Sequence, residues 1–281
     1  VTSDSAQLDS FSDDRSEFLV SGKVQLDYKP TDDMLYYVSV NRGVKAGGFN
    51  AKLYFSSADI LPPDLRQYDS EIIWNYELGM KSTFLDGAGR FNAAAFYYDY
   101  TDYQAFLWSG VTGYTANNEA NGLGFEIDAI FTPTENLYLQ LSGTMLDSTV
   151  KDVQIGANGP GVFKDTRPSF NSRTQISAVA RYQWTNVFGG IFAAQIDGSH
   201  QSSSFQELRN FDAHRIPSYS IFNMSLNWTS AEEKWEGRFH VKNISDLRYK
   251  TISFDDSAFT GNTIMGVGTP RWIGFSVKYN L

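Results

Sequence analysis

The stretch GRFNAAAFYYDYTDYQ, Gly89 to Gln104, decides how the rest of this sequence is read. It places four tyrosines and two phenylalanines in sixteen residues, yet Asn92, Asp99 and Asp102 interrupt it. That mixture suits neither an ordinary buried core segment nor a membrane helix. A strand accommodates it, because successive side chains point to opposite faces, one of which can be dry while the other is wet.

The same alternation extends outward in both directions. From Glu17 to Tyr28 the even positions are Phe18, Val20, Gly22, Val24, Leu26 and Tyr28, with Ser21, Lys23, Gln25 and Asp27 among the odd ones. In NYELGMKSTF, Tyr76, Leu78, Met80 and Phe84 oppose Asn75, Glu77 and Lys81, and in GFEIDAIF, Phe125, Ile127, Ala129 and Phe131 oppose Glu126 and Asp128. IFNMSLNW and the terminal IGFSVKYNL repeat the pattern. About eleven strands are predicted on this period, near residues 17–28, 34–42, 74–84, 90–103, 122–131, 137–146, 172–184, 190–201, 218–229, 235–244 and 271–281. No helix-period segment of useful length competes with them.

Composition agrees. With 281 residues, 42% apolar and 15% aromatic, the chain is not generally disordered, and its rings suit β-structure and surfaces that are half wet. A net charge of -9 with no Lys/Arg run argues against nucleic acid as a partner. The absence of cysteine excludes disulfides, thiolate metal sites and thiol nucleophiles. The opening VTSDSAQLDSFSDDRSE is polar and acidic, unlike a secretory signal. The longest uncharged runs, Tyr103 to Asn118 and Ile216 to Ala231, are short and broken by Gly, Pro, Asn and Ser, so no spanning helix is expected. Strands of a transmembrane barrel escape that test, because they are polar on one face.

The connections also alternate. KPTDD, LDGAG, TPTEN, TNVFG and SAEEK read as short turns, whereas long loops are expected at 43–73, 104–121, 147–171, 202–217 and 245–270. Tight turns along one rim and long loops along the other form the pattern of an antiparallel transmembrane β-barrel with periplasmic turns and extracellular loops. In the opening stretch, Ala93 to Ala95 are then expected to cross the apolar zone. Tyr97, Tyr98, Tyr100 and Tyr103 are expected in the girdle at the upper interface, with Asp99 and Asp102 facing water. A soluble β-sandwich with a Tyr-rich binding face is the alternative, and it accounts less well for the regular alternation of turns and loops.

Enzyme chemistry finds no foothold. His200, His214 and His240 are scattered without metal-ligand spacing, and GANGPG at 156–161 is not followed by a helix whose amides could hold a phosphate. Glu77, Glu126 and Asp128 alternate with apolar residues, as a wet barrel interior requires, rather than converging as an acid/base pair. NMS, NWT and NIS match glycosylation sequons but fall on strands. The reading expects no enzyme, no cofactor and no metal site.

Several phrases resemble one family. YYVSVNRGVKAGGFNA (36–51), IWNYELGMKSTFLDGAGRFNAAAFYYDYTDYQ (73–104), GLGFEIDAIFTPTENLYLQLSGTMLDS (122–148), HVKNISDLRYKT (240–251) and PRWIGFSVKYNL (270–281) together are similar to the C-terminal half of the β-barrel of a TonB-dependent outer-membrane receptor. The resemblance covers nearly the whole chain. It implies that residues 1–281 are the last eleven strands of a barrel of about 22, closed around an N-terminal plug. The chain would then be part of a longer polypeptide, because no phrase resembles a plug or a TonB-contacting segment. The C-terminus would be periplasmic. The final residue, Leu281, replaces the Phe usual in such barrels.

The implied activity is active uptake of a scarce nutrient, first a ferric siderophore, with glycan, haem or vitamin B12 uptake and a passive porin or loop-anchoring barrel as alternatives. Implied partners are outer-membrane lipid and lipopolysaccharide, the TonB complex and the small-molecule substrate. Arg42, Lys45, Gly47, Gly48, Phe49 and Asn50 match one family phrase, and Asn243, Asp246, Arg248 and Tyr249 match another. Both sets are read chiefly as structural. Substrate contacts are expected from aromatic and basic residues of the long loops: Tyr54, Phe55, Tyr68, Phe106, Trp108, Tyr114, Phe163, Arg167, Phe205, Arg209 and Phe254.

Overall fold

The protein, as a computed structural model, is described over residues 12–50, 66–109, 112–155, 161–256 and 261–280. In chain order the first strands are β1 (Gly22–Thr31), β2 (Met34–Lys45), β3 (Gly48–Phe49), β4 (Gln67–Tyr68), β5 (Glu71–Phe84) and β6 (Gly89–Ser109). Next come β7 (Thr112–Thr134), β8 (Leu137–Gln154), β9 (Phe163–Thr166), β10 (Thr174–Val187), β11 (Gly190–Gln201) and β12 (Ser204–Phe205). A 3-10 turn at Asp212–His214 precedes β13 (Arg215–Ile216), β14 (Tyr219–Ser230), β15 (Trp235–Lys242), β16 (Lys250–Asp256), β17 (Asn262–Val267) and β18 (Trp272–Tyr279).

Eleven of these strands form one antiparallel meander in the order β1-β2-β5-β6-β7-β8-β10-β11-β14-β15-β18, with β9 attached to β8. The pairs β3–β4, β12–β13 and β16–β17 occupy the long connections. The eleven strands of the meander correspond to the eleven expected from the period. Three run further than expected. β6 continues to Ser109 and β7 begins at Thr112, so most of the loop expected at 104–121 is strand, and β8 occupies 147–154. Extra residues make this extension possible. The ladder shifts between Tyr100 and Tyr103 and between Val150 and Val153, with Asp102 and Asp152 in the left-handed region at φ 56° and 52°. The first strand starts at Gly22 rather than at 17, because Glu17 is bonded elsewhere, to Ser70 Oγ and the Gly47 amide.

Register fixes which side chains share a face, because directly opposed residues of an antiparallel pair point the same way. One row runs Ala129–Leu141–Ala178–Gly198–Phe222, and another runs Val24–Val40–Tyr76–Tyr97–Leu123. The opposite face carries Asn92–Asp128–Ser142–Ser177–Ser199. Burial inverts the usual order of a water-soluble protein. Leu78 and Leu123 are 61% and 63% exposed, whereas Ser39 and Ser148 on the polar face are 2% exposed. Such an apolar exterior is stable only where the surrounding medium is itself apolar.

Near the short turns the apolar face ends in rings. Phe84 stacks on Phe131 at 6.4 Å, Tyr182 meets Trp184 at 4.6 Å, and Trp235 meets Tyr279 at 4.6 Å. Trp228 belongs to the same belt, and its Nε1 donates to the Val187 carbonyl at 3.0 Å, so that its polar atom is satisfied. The turns accept left-handed backbone at Gly87 (φ 90°), and also at Leu85, Phe188 and Glu233, where residue type gives no hint of it. The other end differs from expectation. Of the four tyrosines expected in the upper girdle, only Tyr97 shares the apolar face. Tyr98 and Tyr100 pair with Asn75 and Ile73 on the polar face, and Tyr103 packs edge-on against Tyr100 at 5.4 Å.

Candidate functional site

Above the sheet, on the side of the long connections, the extensions of β6, β7 and β8 carry their own core. Ala105, Leu107, Tyr114, Ala120, Val150 and Val153 are buried together with Leu208, which enters from the β12–β13 connection, and Tyr100, Tyr103 and Ala116 pack against them. Alternation along β6 still operates here. Ala105 and Leu107 turn inward, while Phe106 and Trp108 are 48% and 37% exposed on the other side.

A polar knot fastens the β12–β13 connection to this core. Glu207, 4% exposed, accepts from Arg209 at 2.7 Å through Oε1 and bonds His214 Nδ1 at 3.1 Å through Oε2. The Arg209 guanidinium also donates to the Trp108 carbonyl at 2.7 Å and the Gln154 carbonyl at 3.2 Å. Asn210, at φ 57°, accepts from the Arg167 amide at 2.9 Å and donates to the Arg167 carbonyl at 3.0 Å. Ser253 of β16 closes the assembly, its amide donating to Gln206 Oε1 at 2.8 Å and its hydroxyl to the Ala213 carbonyl.

The expected contact residues divide accordingly. Phe106, Trp108 and Phe254 form one aromatic line, with centroids 5.2 Å and 5.4 Å apart, and Arg209 lies beside it. Arg209 is already engaged by Glu207 and two carbonyls. Arg167 lies over the Phe205 ring at 5.0 Å, and burial, then Arg173 and Arg215, lower its guanidinium pKa. Tyr114 is part of the core, whereas Phe163 is 59% exposed. Tyr68 covers Gly48 so closely that a Cβ there has no room, and the neighbouring Asp69 amide donates to Asn117 Oδ1 at 2.6 Å. Tyr54 and Phe55 lie outside the described residues.

The two family-like phrases make specific local bonds. Asn50 Nδ2 donates to the Thr115 carbonyl at 2.7 Å while its Oδ1 accepts the Thr115 amide at 2.8 Å, which pins β3 to β7. Gly47 donates to Ser70 Oγ at 3.0 Å, and Arg42 lies over Trp74 at 5.9 Å. Phe49 pairs with Gln67, and Lys45 with Glu71. Asn243, 3% exposed and at φ 51°, donates to the Leu247 and Thr269 carbonyls at 2.9 and 3.1 Å and accepts the Leu247 amide at 2.9 Å. Asp246 accepts the Arg271 amide at 2.8 Å, and Tyr249 packs on Tyr219 at 4.5 Å.

That Arg271 bond, followed by Arg248 and Arg271 charge, holds the Asp246 carboxyl below its ordinary range. A carboxyl lowered in the fold stabilises it above the unfolded-state value and loses that contribution as pH falls through the folded value. The Arg271 amide is therefore expected to lose hydrogen-exchange protection as pH drops below about 4, with Asp246→Asn removing the pH dependence. Unchanged protection down to about pH 2 would contradict this role for the carboxylate.

The histidines lie apart: His200 bonds Ser220 Oγ at 2.9 Å, His214 bonds Glu207, and His240 packs on Trp272 at 4.8 Å. Residues not singled out from the sequence are Glu207 and Asn210 of the knot and Phe96 on the polar face of β6, where Tyr98, expected in the girdle, also lies. Parity alone could have found the last two, since Tyr98 is an even number of residues from Asn92 and an odd number from Ala93.

The family described as TonB dependent receptor-like, beta-barrel matches residues 1–244. The fold resembles the ferric yersiniabactin uptake receptor FyuA of Yersinia pestis, with a TM-score of 0.71 at 20% identity over 92% of this chain and 37% of that one. The siderophore receptor PiuA of Acinetobacter baumannii gives 0.71 at 17% identity over 92% and 35%. The ferric-catecholate import receptor Fiu of E. coli K12 gives 0.67 at 15% identity over 93% and 35%. The chain thus spans little more than a third of the length of these receptors. At such identities the likeness is one of fold.

Proposed function

This chain belongs to the TonB dependent receptor-like β-barrel family, and from that premise we propose that it serves active, TonB-dependent uptake across the bacterial outer membrane. The observation that carries the reading is the sheet itself, an antiparallel meander with a continuous, exposed apolar face and a polar opposite face, most of it within the segment the family matches. The short turns and the C-terminal end face the periplasm, and the β3–β4, β12–β13 and β16–β17 connections lie outside the cell. β1 and β18 each pair on one side only among the described strands. In hydrocarbon their free backbone groups would cost several kcal/mol each, so further strands complete the barrel, with a plug inside it that meets the TonB complex.

The substrate we favour is a ferric siderophore, and the protein acts as a transporter rather than an enzyme. Support comes from the aromatic and basic residues at the mouth and from the siderophore receptors that share the fold. The test is iron uptake by cells carrying the full-length receptor, compared with an isogenic deletion. Uptake of ferric siderophore is expected to need the receptor, TonB and the proton gradient together. A large steady conductance of the purified full-length protein in a planar bilayer, with uptake indifferent to the gradient, would favour a passive pore instead.

A further inference from the structure

On the apolar outer wall a groove of about 500 Å³ follows β10 between β8 and β11. Ala178, Ala180 and Gly198 form its floor, Leu141 and Ile196 stand at its sides, and the lining is almost entirely apolar. Its end toward the long connections is polar, where His200 bonds Ser220 Oγ at 2.9 Å. Neither the strands that complete the barrel nor a plug inside it covers this wall, because β10 is flanked by β8 and β11 and the groove opens away from the interior.

Directly above the groove the same wall is basic. Thr166, Ser204 and Ile216 are buried on the inner side, so the residues next to them in the chain, Arg167, Phe205 and Arg215, face outward. Arg167 lies over the Phe205 ring, and after burial itself the charges of Arg173 and Arg215 lower its pKa, which puts the three guanidiniums in one neighbourhood. Arg173 bonds Asp147 at 3.0 Å, but both side chains are more than half exposed, so the pair is weak and leaves guanidinium donors open. Among the described residues Arg167 and Arg215 have no ion pair. In a chain of net charge -9 such a cluster points to an anionic partner.

Distance along the strand sets the level at which that partner lies. At about 3.3 Å per residue and a tilt near 45°, Arg173 stands roughly 16 Å above Ala180, about half of a hydrocarbon core roughly 30 Å thick. Tyr182 and Trp184, in the belt near the short turns, mark the other half. The groove therefore lies in the outer leaflet, with the arginines at the height of the headgroups.

We propose that the β10 groove and the arginines above it form a lipopolysaccharide site, in which one acyl chain lies along Ala178, Ala180 and Gly198 and a headgroup phosphate is bound between Arg173 and Arg215. Arg167, stacked behind them, supplies a further positive charge. Two exposed arginines suit this role, since a guanidinium can give a phosphate two parallel hydrogen bonds. The inference rests on the outer-membrane placement above and adds where on the wall the lipid is held and which of its groups are recognised.

The experiment takes the full-length receptor, stripped of lipid in detergent, and titrates equal amounts of folded barrel with rough lipopolysaccharide under native mass spectrometry. Arg173→Ser with Arg215→Ser is expected to weaken the tightest lipopolysaccharide about tenfold. Enzymatic removal of the lipid's phosphates should weaken binding to the wild type by a similar factor and to this variant hardly at all. Arg173→Lys with Arg215→Lys keeps both charges and should keep most of the affinity. Ala178→Phe, which fills the groove from the lipid side and leaves the arginines in place, should also weaken binding. Unchanged affinity in the serine variant overturns the headgroup contact, and unchanged affinity in Ala178→Phe overturns the groove. Phosphatidylglycerol bound as tightly as lipopolysaccharide would overturn the assignment to the glycolipid. Because binding is read without TonB or a proton gradient, its failure leaves the uptake reading standing, and a failure of uptake leaves the lipid site standing.

Discussion

Leu141→Arg is expected to destabilise the assembled barrel by about 2–4 kcal/mol, whereas Ser142→Arg, one residue further, costs less than about 1 kcal/mol. Leu141 is the fifth residue of β8, with Ala129 and Ala178 as cross-strand partners, all on the apolar face. An arginine there must enter hydrocarbon or drag water and headgroups toward it. Ser142 points the other way, where its hydroxyl donates to Asp128 Oδ2 at 2.9 Å, so an arginine at 142 meets a carboxylate in a wet interior. The measurement is reversible guanidinium unfolding of the full-length receptor in phospholipid bilayers. Equal costs, or a larger cost at 142, would reverse the assignment of faces and with it the membrane reading.

That contrast between adjacent residues is also the reason so much of the fold is legible. A period of two needs only local information, and a strand that separates lipid from water must keep it along its whole length. Val24, Leu26, Leu78, Leu123 and Phe125 therefore announce their face from the sequence alone. Legibility fails where the count of residues slips. Tyr100 and Tyr103 are an odd number apart, yet their rings touch, because the extra residue at Asp102 resets the parity. Without sight of that bulge, TGYTANN reads as a loop, although it is the start of β7.

Turn backbone is illegible for a different reason. Left-handed conformation at Leu85, Phe188 and Glu233 is imposed by the strands on either side rather than chosen by residue type. At the mouth the difficulty is range. Phe106, Trp108, Arg209 and Phe254 were nameable as aromatic and basic loop residues, but the bond from Arg209 to the Trp108 carbonyl joins positions 101 residues apart. FQELRNFDAHR carries no period that marks Glu207 as buried. Only the folded arrangement reveals that Arg209 serves the architecture first, leaving Phe106 and Trp108 as the exposed side of that cluster.

Glu207→Ala should open the mouth without opening the barrel. The carboxylate is the shared acceptor of Arg209 and His214, whose side chains are 11% and 10% exposed. Removing it leaves a nearly buried guanidinium with carbonyls alone, a loss of about 3 kcal/mol when one member of a buried pair is deleted. Because the knot joins the β12–β13 connection to β6, β8 and β16 but contributes nothing to the sheet ladder, the loss belongs to a local opening rather than to global unfolding. The open population of residues 204–216 should therefore rise about 100-fold, read as hydrogen exchange at the Gln206 amide, which donates to the His214 carbonyl at 3.0 Å, and at the Ser253 amide. Glu207→Gln should fall between, since its amide keeps one acceptor oxygen and turns a donor toward the other partner. Protection in β10 and β11 should not change in either variant. Loss that spreads into those strands would make the knot a global support of the sheet, and unchanged exchange at Gln206 would mean that Leu208, packed among Leu107, Val150 and Val153, holds the connection by itself.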